Sequence, residues 1–314
     1  MTKPEYAFFK GKIVPIEDAK ISVMTHAFNY GTAVFGGLRA YWNEDEDQLY
    51  IFRSNDHFER FLQSAALIRI NLPYTPADLT TILGELIRTE AYRENIYIRP
   101  LAYKATPIIG VRLHDLDDEV TMFAQPFGSY MHNEIHNHVC ISAWRRVDDN
   151  AIPARGKIAG AYANSALIKT DAVLAGYDEA IVLNENGHVS EMSAANIFII
   201  RKGVAITPPV NANVLEGITR RSIIQLLQDD LGVEVVERDI DRTEIYLSDE
   251  IFMCGTGVQV ASITKVEHRP IGNEEPGPIT EQVRELFHQV VRGRVSKYRN
   301  WLTPVYTTEK VTSR

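Results

Sequence analysis

Alternation and helical periodicity divide the chain into short strand-like runs and several longer amphipathic stripes. Near the start, Tyr6-Ala7-Phe8-Phe9, the turn Lys10-Gly11-Lys12 and Ile13-Val14 read as a hairpin, and Ile21-Ser22-Val23-Met24 is expected to continue its sheet. Phe58, Phe61, Leu62, Ala65, Ala66 and Ile68 then recur at helical spacing behind Ser54-Asn55-Asp56, which is expected to supply the N-cap. Thr75-Pro76-Ala77-Asp78 opens a second helix, with Thr at the cap, Pro at the first position, and an apolar stripe of Leu79, Ile82, Leu83, Leu86 and Ile87. Over 95–104 the period drops to two: Ile96 and Ile98 face one side of a strand, Tyr97 and Arg99 the other. A further strand covers 120–127, after which periodicity is lost in a short polar stretch.

That loss of pattern places a domain boundary. Residues 1–128 are expected to form a small N-terminal domain, 129–136 a linker and 137–314 a larger domain. The second part reads as a strand (139–144), a helix over 165–175 ended by Gly176, and a hairpin about the Asn186-Gly187 turn. A second hairpin turns at Lys202-Gly203, a glycine turn at Gly217 opens another helix, and strands over 234–237, 250–254 and 258–265 precede a closing helix at 279–297. Strands and helices mixed in this way give an α+β fold.

Composition narrows the class. A chain of 314 residues with 45% hydrophobic and 24% charged positions buries a substantial core, and a formal charge of −8 argues against a nucleic-acid partner. Cys140 and Cys254 sit in separate apolar runs and read as buried thiols. No apolar signal core opens the chain and no stretch reaches the roughly 18 apolar residues of a membrane span, so a cytoplasmic location without membrane partners is expected. His26 has no second histidine or cysteine at metal spacing and is read as structural, with no metal expected.

Candidate chemistry centres on Pro153-Ala154-Arg155-Gly156-Lys157-Ile158-Ala159-Gly160-Ala161-Tyr162-Ala163-Asn164, where one lysine stands among small residues. Small neighbours admit a planar group close to the backbone, and weakly polar walls lower an amine's pKa, so Lys157 can form a Schiff base; the alternative is an exposed lysine in a solvated loop. Glu191 falls where the second strand of the Asn-Gly hairpin ends, either an acid for a pyridine nitrogen or a solvated charge. In Val214-Leu215-Glu216-Gly217-Ile218-Thr219-Arg220-Arg221-Ser222 a glycine turn meets a helix start, whose free N–H groups and positive dipole end suit an anion, with Thr219 adding a hydroxyl. Gly255-Thr256-Gly257 is either a tight turn or a second anion site. Arg60 taken alone reads as a surface charge, and Arg99 as half of an internal salt bridge.

The order and spacing of these pieces resemble a class IV, fold-type IV pyridoxal-phosphate aminotransferase, most closely the branched-chain amino-acid group. The residues that carry the resemblance are Tyr30-Gly31-Thr32-Ala33-Val34-Phe35, Gly37-Leu38-Arg39, His57 with Arg60, Tyr97-Ile98-Arg99-Pro100, Lys157, Tyr162, Glu191, Gly217-Ile218-Thr219-Arg220 and Gly255-Thr256-Gly257. The resemblance implies a small α/β domain joined to a larger one with a pseudo-barrel of strands. It implies Lys157 as the catalytic amine and pyridoxal 5'-phosphate held by Arg60, Lys157, Tyr162, Glu191, Leu215, Gly217, Ile218, Thr219 and Thr256. It implies substrate contacts from Tyr30, Phe35, Gly37, Tyr97, Arg99, Val111, Tyr130, Thr256, Gly257 and Val258, with Val111 and Tyr130 supplied by a neighbouring subunit. A homodimer is then the minimum unit, and trimers of dimers occur in the family. The implied reaction moves an amino group between leucine, isoleucine or valine and 2-oxoglutarate by a ping-pong route.

Two positions depart from the family pattern. Gly36 stands in the Phe-x-Gly segment where glutamate is usual, and Met192 follows Glu191 where a small residue is common. Both are expected to alter pocket shape, which leaves D-amino-acid or (R)-amine transamination as an alternative specificity. A non-catalytic pyridoxal-phosphate-binding protein is the alternative from another class.

Overall fold

The computed structural model describes residues 3–128 and 134–306. Two sheets organise it. The first is antiparallel and runs, in spatial order, Leu302–Pro304, Gln48–Phe52, Leu38–Asn43, Ile96–Lys104, Asp118–Pro126, Tyr6–Phe9 and Lys12–Pro15, with Ala33–Phe35 also paired to Ile96–Lys104. Because side chains alternate, one face of this sheet buries Ile96, Ile98, Ala102, Met122 and Ala124 under the helices Ser54–Leu67 and Pro76–Glu90. The other face carries Tyr97 and Arg99.

The second sheet is mixed and curls into a half-barrel. Its order is Val189–Met192, Glu179–Leu183, Asn137–Arg145, Gln259–Val266, Glu250–Gly255, Asn196–Arg201, Val204–Thr207 and Val235–Glu237. Helices Ile218–Asp229 and Pro278–Val291 cover one face through Ile223, Leu226, Val283 and Phe287. Tyr50 and Phe52 of the first sheet and Trp301 join that same cluster, so the two sheets share a core. The strand Leu302–Pro304 lies late in the chain yet belongs to the first sheet, where the Gln48 side chain also holds the backbone N–H groups of Val305 and Tyr306.

Several expectations meet a different structure. Residues 21–24 form no strand: Ile21, Val23 and Met24 are exposed, and the Thr25 N–H donates to Ser22 O in a turn. The helix expected behind a Ser54-Asn55-Asp56 cap is instead preceded by Arg53, held at φ 47°; its N–H donates to Trp301 O and its guanidinium lies 3.8 Å from the Trp301 ring centre, so tertiary packing overrides the local cap signal. Helix Tyr162–Leu174 begins three positions before 165, and the closing helix stops at Val291 because Gly293 follows in a left-handed turn (φ 75°). By contrast Thr75 caps Pro76–Glu90 through a reciprocal pair with Asp78.

The residues just ahead of the strand Ala33–Phe35 also meet the lysine loop backbone to backbone. Gly31 has φ 66°, and a Cβ there would lie 2.8 Å from Gly160 Cα, while the Gly160 N–H donates to Gly31 O at 3.2 Å. Gly31→Ala is therefore expected to lower stability by about 2–3 kcal/mol, left-handed strain plus a backbone clash. Gly11→Ala, at φ 79° with nothing near its Cβ, should cost only about 1 kcal/mol. Urea midpoints of the two variants check this, and equal losses would remove the role given to the Gly31–Gly160 contact.

Candidate active site

The polar face of the first sheet forms one wall of a cavity of about 470 Å³. Phe35 and Gly37 come from neighbouring positions at the period of two, Tyr97 and Arg99 from the long strand, and Gln125 and Phe127 from its partner, where Tyr97 pairs with Gln125. Gly37 is required there: a Cβ would fall 2.4 Å from the Tyr97 hydroxyl. The Arg99 guanidinium donates to the Tyr97 hydroxyl at 2.9 Å and lies 4.5 Å from the Phe35 ring centre, with its Nε buried and unpartnered. A planar cation so placed presents its remaining N–H groups to a carboxylate.

Lys157 sits between the sheets. Its carbonyl accepts from Phe35 N at 3.0 Å and its N–H donates to Ser64 Oγ at 3.1 Å, so strand and helix both fix its backbone. Its side-chain amine donates to the Tyr162 hydroxyl and lies 4.9 Å from the Phe35 ring centre. Burial, with Arg60 and Arg99 adding and Tyr97 and Glu191 opposing, pushes the amine down to about 7. Burial also pushes the Tyr162 phenol up to about 12, so it keeps its proton.

Glu191 projects from Val189–Met192 into the same space, 3% exposed, after a register shift in the strand pair. Arg146 approaches one carboxylate oxygen at 2.7 Å, and the other accepts from Asn196 Nδ2 and Leu215 N, each at 3.2 Å. Burial raises its pKa, and Arg146, the Leu215 N–H and Lys157 oppose that rise. Asn196 also donates to Leu215 O at 3.0 Å, and a Cβ at 217 would fall 2.1 Å from Asn196 Oδ1, so a larger residue there would displace that side chain. Next to it begins helix Ile218–Asp229, with no side-chain cap. Leu215, Ile218 and Thr219 line the cavity beside Arg60, which donates to Glu216 O at 3.0 Å and which burial lowers to about 10, still a cation at neutral pH. Thr256, Gly257 and Val258 close the opposite side.

One cavity thus gathers the sequence-predicted residues Phe35, Gly37, Arg60, Tyr97, Arg99 and Lys157, and with them Tyr162, Glu191, 215, 217–219 and 256–258. It does not gather Tyr30 or Val111. Val111 is 89% exposed, and the Tyr30 hydroxyl accepts from Gly110 N at 3.1 Å, so the pair lies together away from this chain's cavity. Tyr130 lies outside the described residues. Neither departure from the family pattern reaches the cavity either: Met192 is fully buried in the half-barrel core, and Gly36 packs against Pro100, 2.6 Å from where its Cβ would be. Sequence reasoning gave no role to Arg146, Asn196 or Gln125. Asn196 opened a predicted strand and Arg146 followed one, but partners distant in sequence define both roles.

A model of amino-transferase class IV matches residues 33–266. The chain belongs to this family. It is similar to an Aquifex aeolicus protein named "Probable branched-chain-amino-acid aminotransferase", 49% identical over 96% of this chain and 97% of that one. Among solved structures it resembles the Thermoproteus uzoniensis branched-chain aminotransferase with norvaline (40% identity, TM-score 0.92, 97% and 100% covered). It also resembles the Thermobaculum terrenum branched-chain amino acid aminotransferase in its PLP-form (38% identity, TM-score 0.92, 97% and 99% covered).

The donors of this aminotransferase fit the family cofactor, pyridoxal 5'-phosphate. An uncapped helix start with the Arg60 cation beside it suits the phosphate, an amine near neutral pKa suits the aldehyde, and a buried carboxylate suits a ring nitrogen. Among the described residues no cluster of metal-ligating side chains occurs, and no helix is long and apolar enough to cross a membrane.

The depressed amine has a stability consequence. Folded Lys157 releases its proton near 7, whereas an unfolded lysine does so near about 10.4. The resulting penalty on folding is absent above the unfolded value, grows as pH falls, and is complete below the folded one. Cofactor-free Lys157→Met is expected to be more stable than the parent at neutral pH by about 1–3 kcal/mol, the advantage shrinking as pH approaches about 10. Urea denaturation at the two pH values measures it, and a constant advantage would mean that the amine is not depressed.

Proposed function

We propose that the protein transfers amino groups between branched-chain L-amino acids and 2-oxoglutarate, with pyridoxal 5'-phosphate as cofactor and by a ping-pong route. The observation that carries this reading is the joint placement of Lys157, Glu191 with Arg146, the Arg60 helix start and the Tyr97–Arg99 pair around one cavity. When bound, the cofactor supplies an electron sink for the electrons left at the substrate α-carbon. Arg60, Thr219 and the N–H groups at the start of Ile218–Asp229 would hold its phosphate, and Glu191, whose charged form Arg146 favours, would hold its ring nitrogen. Lys157 Nζ, depressed to about 7, takes the α-carbon proton and returns it, since an amine near ambient pH accepts and donates with similar ease. Tyr162, protonated and bonded to Lys157, orients that amine.

Substrate choice follows from the wall of the first sheet. Phe35, Tyr97 and Phe127 give aliphatic side chains an apolar surface, and Arg99 gives a distal carboxylate a cation, so one pocket takes both leucine and glutamate. Position 36 faces Pro100 and position 192 the core, which favours this specificity over the D-amino-acid and amine alternatives. The two domains proposed, 1–128 and 137–314 with 129–136 between, follow the two sheets, apart from the strand Leu302–Pro304. The protein is further placed in the cytoplasm, in keeping with two free cysteines.

The active unit in this reading is a homodimer. Ile21, Val23, Met24, Phe28, Ile109 and Val111 are all exposed, and the Thr25–Pro107 bridge and the His26 bond to Gly110 O (2.8 Å) join their segments into one apolar surface beside Tyr30. A surface of this kind marks an association site. A second copy seated there would lend Tyr30 and Val111 to its neighbour.

Stopped-flow absorbance of the cofactor-loaded protein is expected to show fast half-reactions with L-leucine and L-glutamate and none with D-alanine. Arg99→Ala should slow the glutamate half-reaction by about a hundredfold, the scale of one lost charge-assisted pair, and the leucine half-reaction by less than about tenfold. Equal losses would return Arg99 to a structural role, and a fast D-alanine reaction would overturn the specificity. Val111→Asp is expected to yield monomers by sedimentation and to lose most turnover. A fully active monomer would remove the dimer from the mechanism.

A further inference from the structure

The pairing of Ile96–Lys104 with Asp118–Pro126 sets Gln125 directly opposite Tyr97, and Arg99 opposite Phe123. Gln125 is therefore the diagonal neighbour of Arg99 on the face that looks into the cavity, and long side chains placed diagonally in such a ladder can reach one another. Gln125 lines the cavity together with Tyr97, Arg99 and Phe127. Among the described residues its side-chain amide meets no hydrogen-bond partner. Arg99, by contrast, spends one N–H on the Tyr97 hydroxyl at 2.9 Å. None of the proton transfers at Lys157 uses the Gln125 amide.

A carboxylate has two oxygens with about four lone-pair sites, and one guanidinium satisfies at most two of them. The rest of this wall is apolar: the Phe35 ring centre lies 4.5 Å from the Arg99 guanidinium, and the Phe127 ring packs against Tyr97 with centres 5.3 Å apart. A charge taken into such surroundings with unsatisfied lone pairs is costly. The Gln125 amide brings two further N–H donors to the same face. Being neutral, it does so without a second charge that an aliphatic side chain would have to desolvate. That combination suits a pocket that must accept both leucine and glutamate.

We propose that Gln125 is a specificity-determining residue of this cavity: its side-chain amide donates to the distal carboxylate of a dicarboxylic substrate, which it shares with Arg99. This rests on the aminotransferase reading above. Arg99 supplies the charge, and Gln125 supplies a donor that fixes the orientation of the carboxylate on the wall. Loss of the amide selectively harms substrates whose side chain ends in a carboxylate and spares those whose side chain is a hydrocarbon.

The test compares the cofactor-loaded parent with Gln125→Met, which keeps the length of the side chain and removes its donor, and Gln125→Glu, which keeps the shape and replaces the donor by a charged acceptor. Half-reaction rates are read with L-leucine and with L-glutamate. Gln125→Met is expected to lower the glutamate rate at subsaturating substrate about tenfold or more, mainly through KM, and to leave the leucine rate within about threefold, the scale of one hydrogen bond to a charged group. Gln125→Glu should lower the glutamate rate further, because its carboxylate repels that of the substrate and competes for Arg99. Equal losses with both substrates in Gln125→Met, or no loss with glutamate, would overturn the proposal. Calorimetric binding of glutarate and of 4-methylpentanoate gives a readout independent of turnover. Gln125→Met should weaken glutarate about tenfold and leave 4-methylpentanoate within about twofold, and parallel changes in the two affinities would overturn the subsite. A parent protein that binds glutarate in this Gln125-dependent way, yet transfers no amino group from either amino acid, would instead sink the aminotransferase reading while leaving the subsite standing.

Discussion

The site depends on keeping one buried amine easy to deprotonate among cations. A cavity that receives a phosphate and carboxylates needs guanidinium groups, and Arg60 and Arg99 both depress Lys157. A carboxylate near the amine works the other way, and an unpaired Glu191 would draw the proton back onto the lysine. Arg146 opposes this by engaging Glu191 at 2.7 Å, which gives the carboxylate an ion-pair partner other than the lysine. The ion pair that looks structural is thus what lets a base and an acid coexist in one small space.

That balance requires two sheets to meet face to face. The antiparallel sheet contributes Tyr97 and Arg99 by simple alternation, because its opposite face is already committed to the core under two helices. The half-barrel contributes Glu191, the helix start at Ile218 and the turn at 255–257. The lysine loop lies between them, bonded to Phe35 and Ser64 from one side, and its close approach is permitted by Gly31 and Gly160. Glycine and alanine around Lys157 therefore serve approach between segments as much as approach to a cofactor.

Strand alternation over 96–104, the Thr75 cap and the Asn-Gly hairpin were legible in the sequence because each depends on neighbours within a few residues. The lysine, the acid and the helix start were legible through resemblance, which fixes residue types at spacings. What escaped was set by distant partners. Arg53 takes its unusual backbone angle from Trp301, Arg146 takes its role from Glu191, and residues 21–24 turn on themselves through the Thr25 N–H to Ser22 O bond instead of forming a strand. Gly36 and Met192 looked able to reshape the pocket, yet strand register turns the first towards Pro100 and the second into the core.

The strand Leu302–Pro304 carries a further consequence. It completes the edge of the antiparallel sheet beside Gln48–Phe52, and Trp301 accepts the Arg53 N–H just before it. During synthesis the first half of the chain emerges long before that strand exists, so its sheet waits with one edge open and with Tyr50 and Phe52 lacking part of their shared core. The sheet that holds Tyr97 and Arg99 therefore takes its last edge strand from a segment far along the chain.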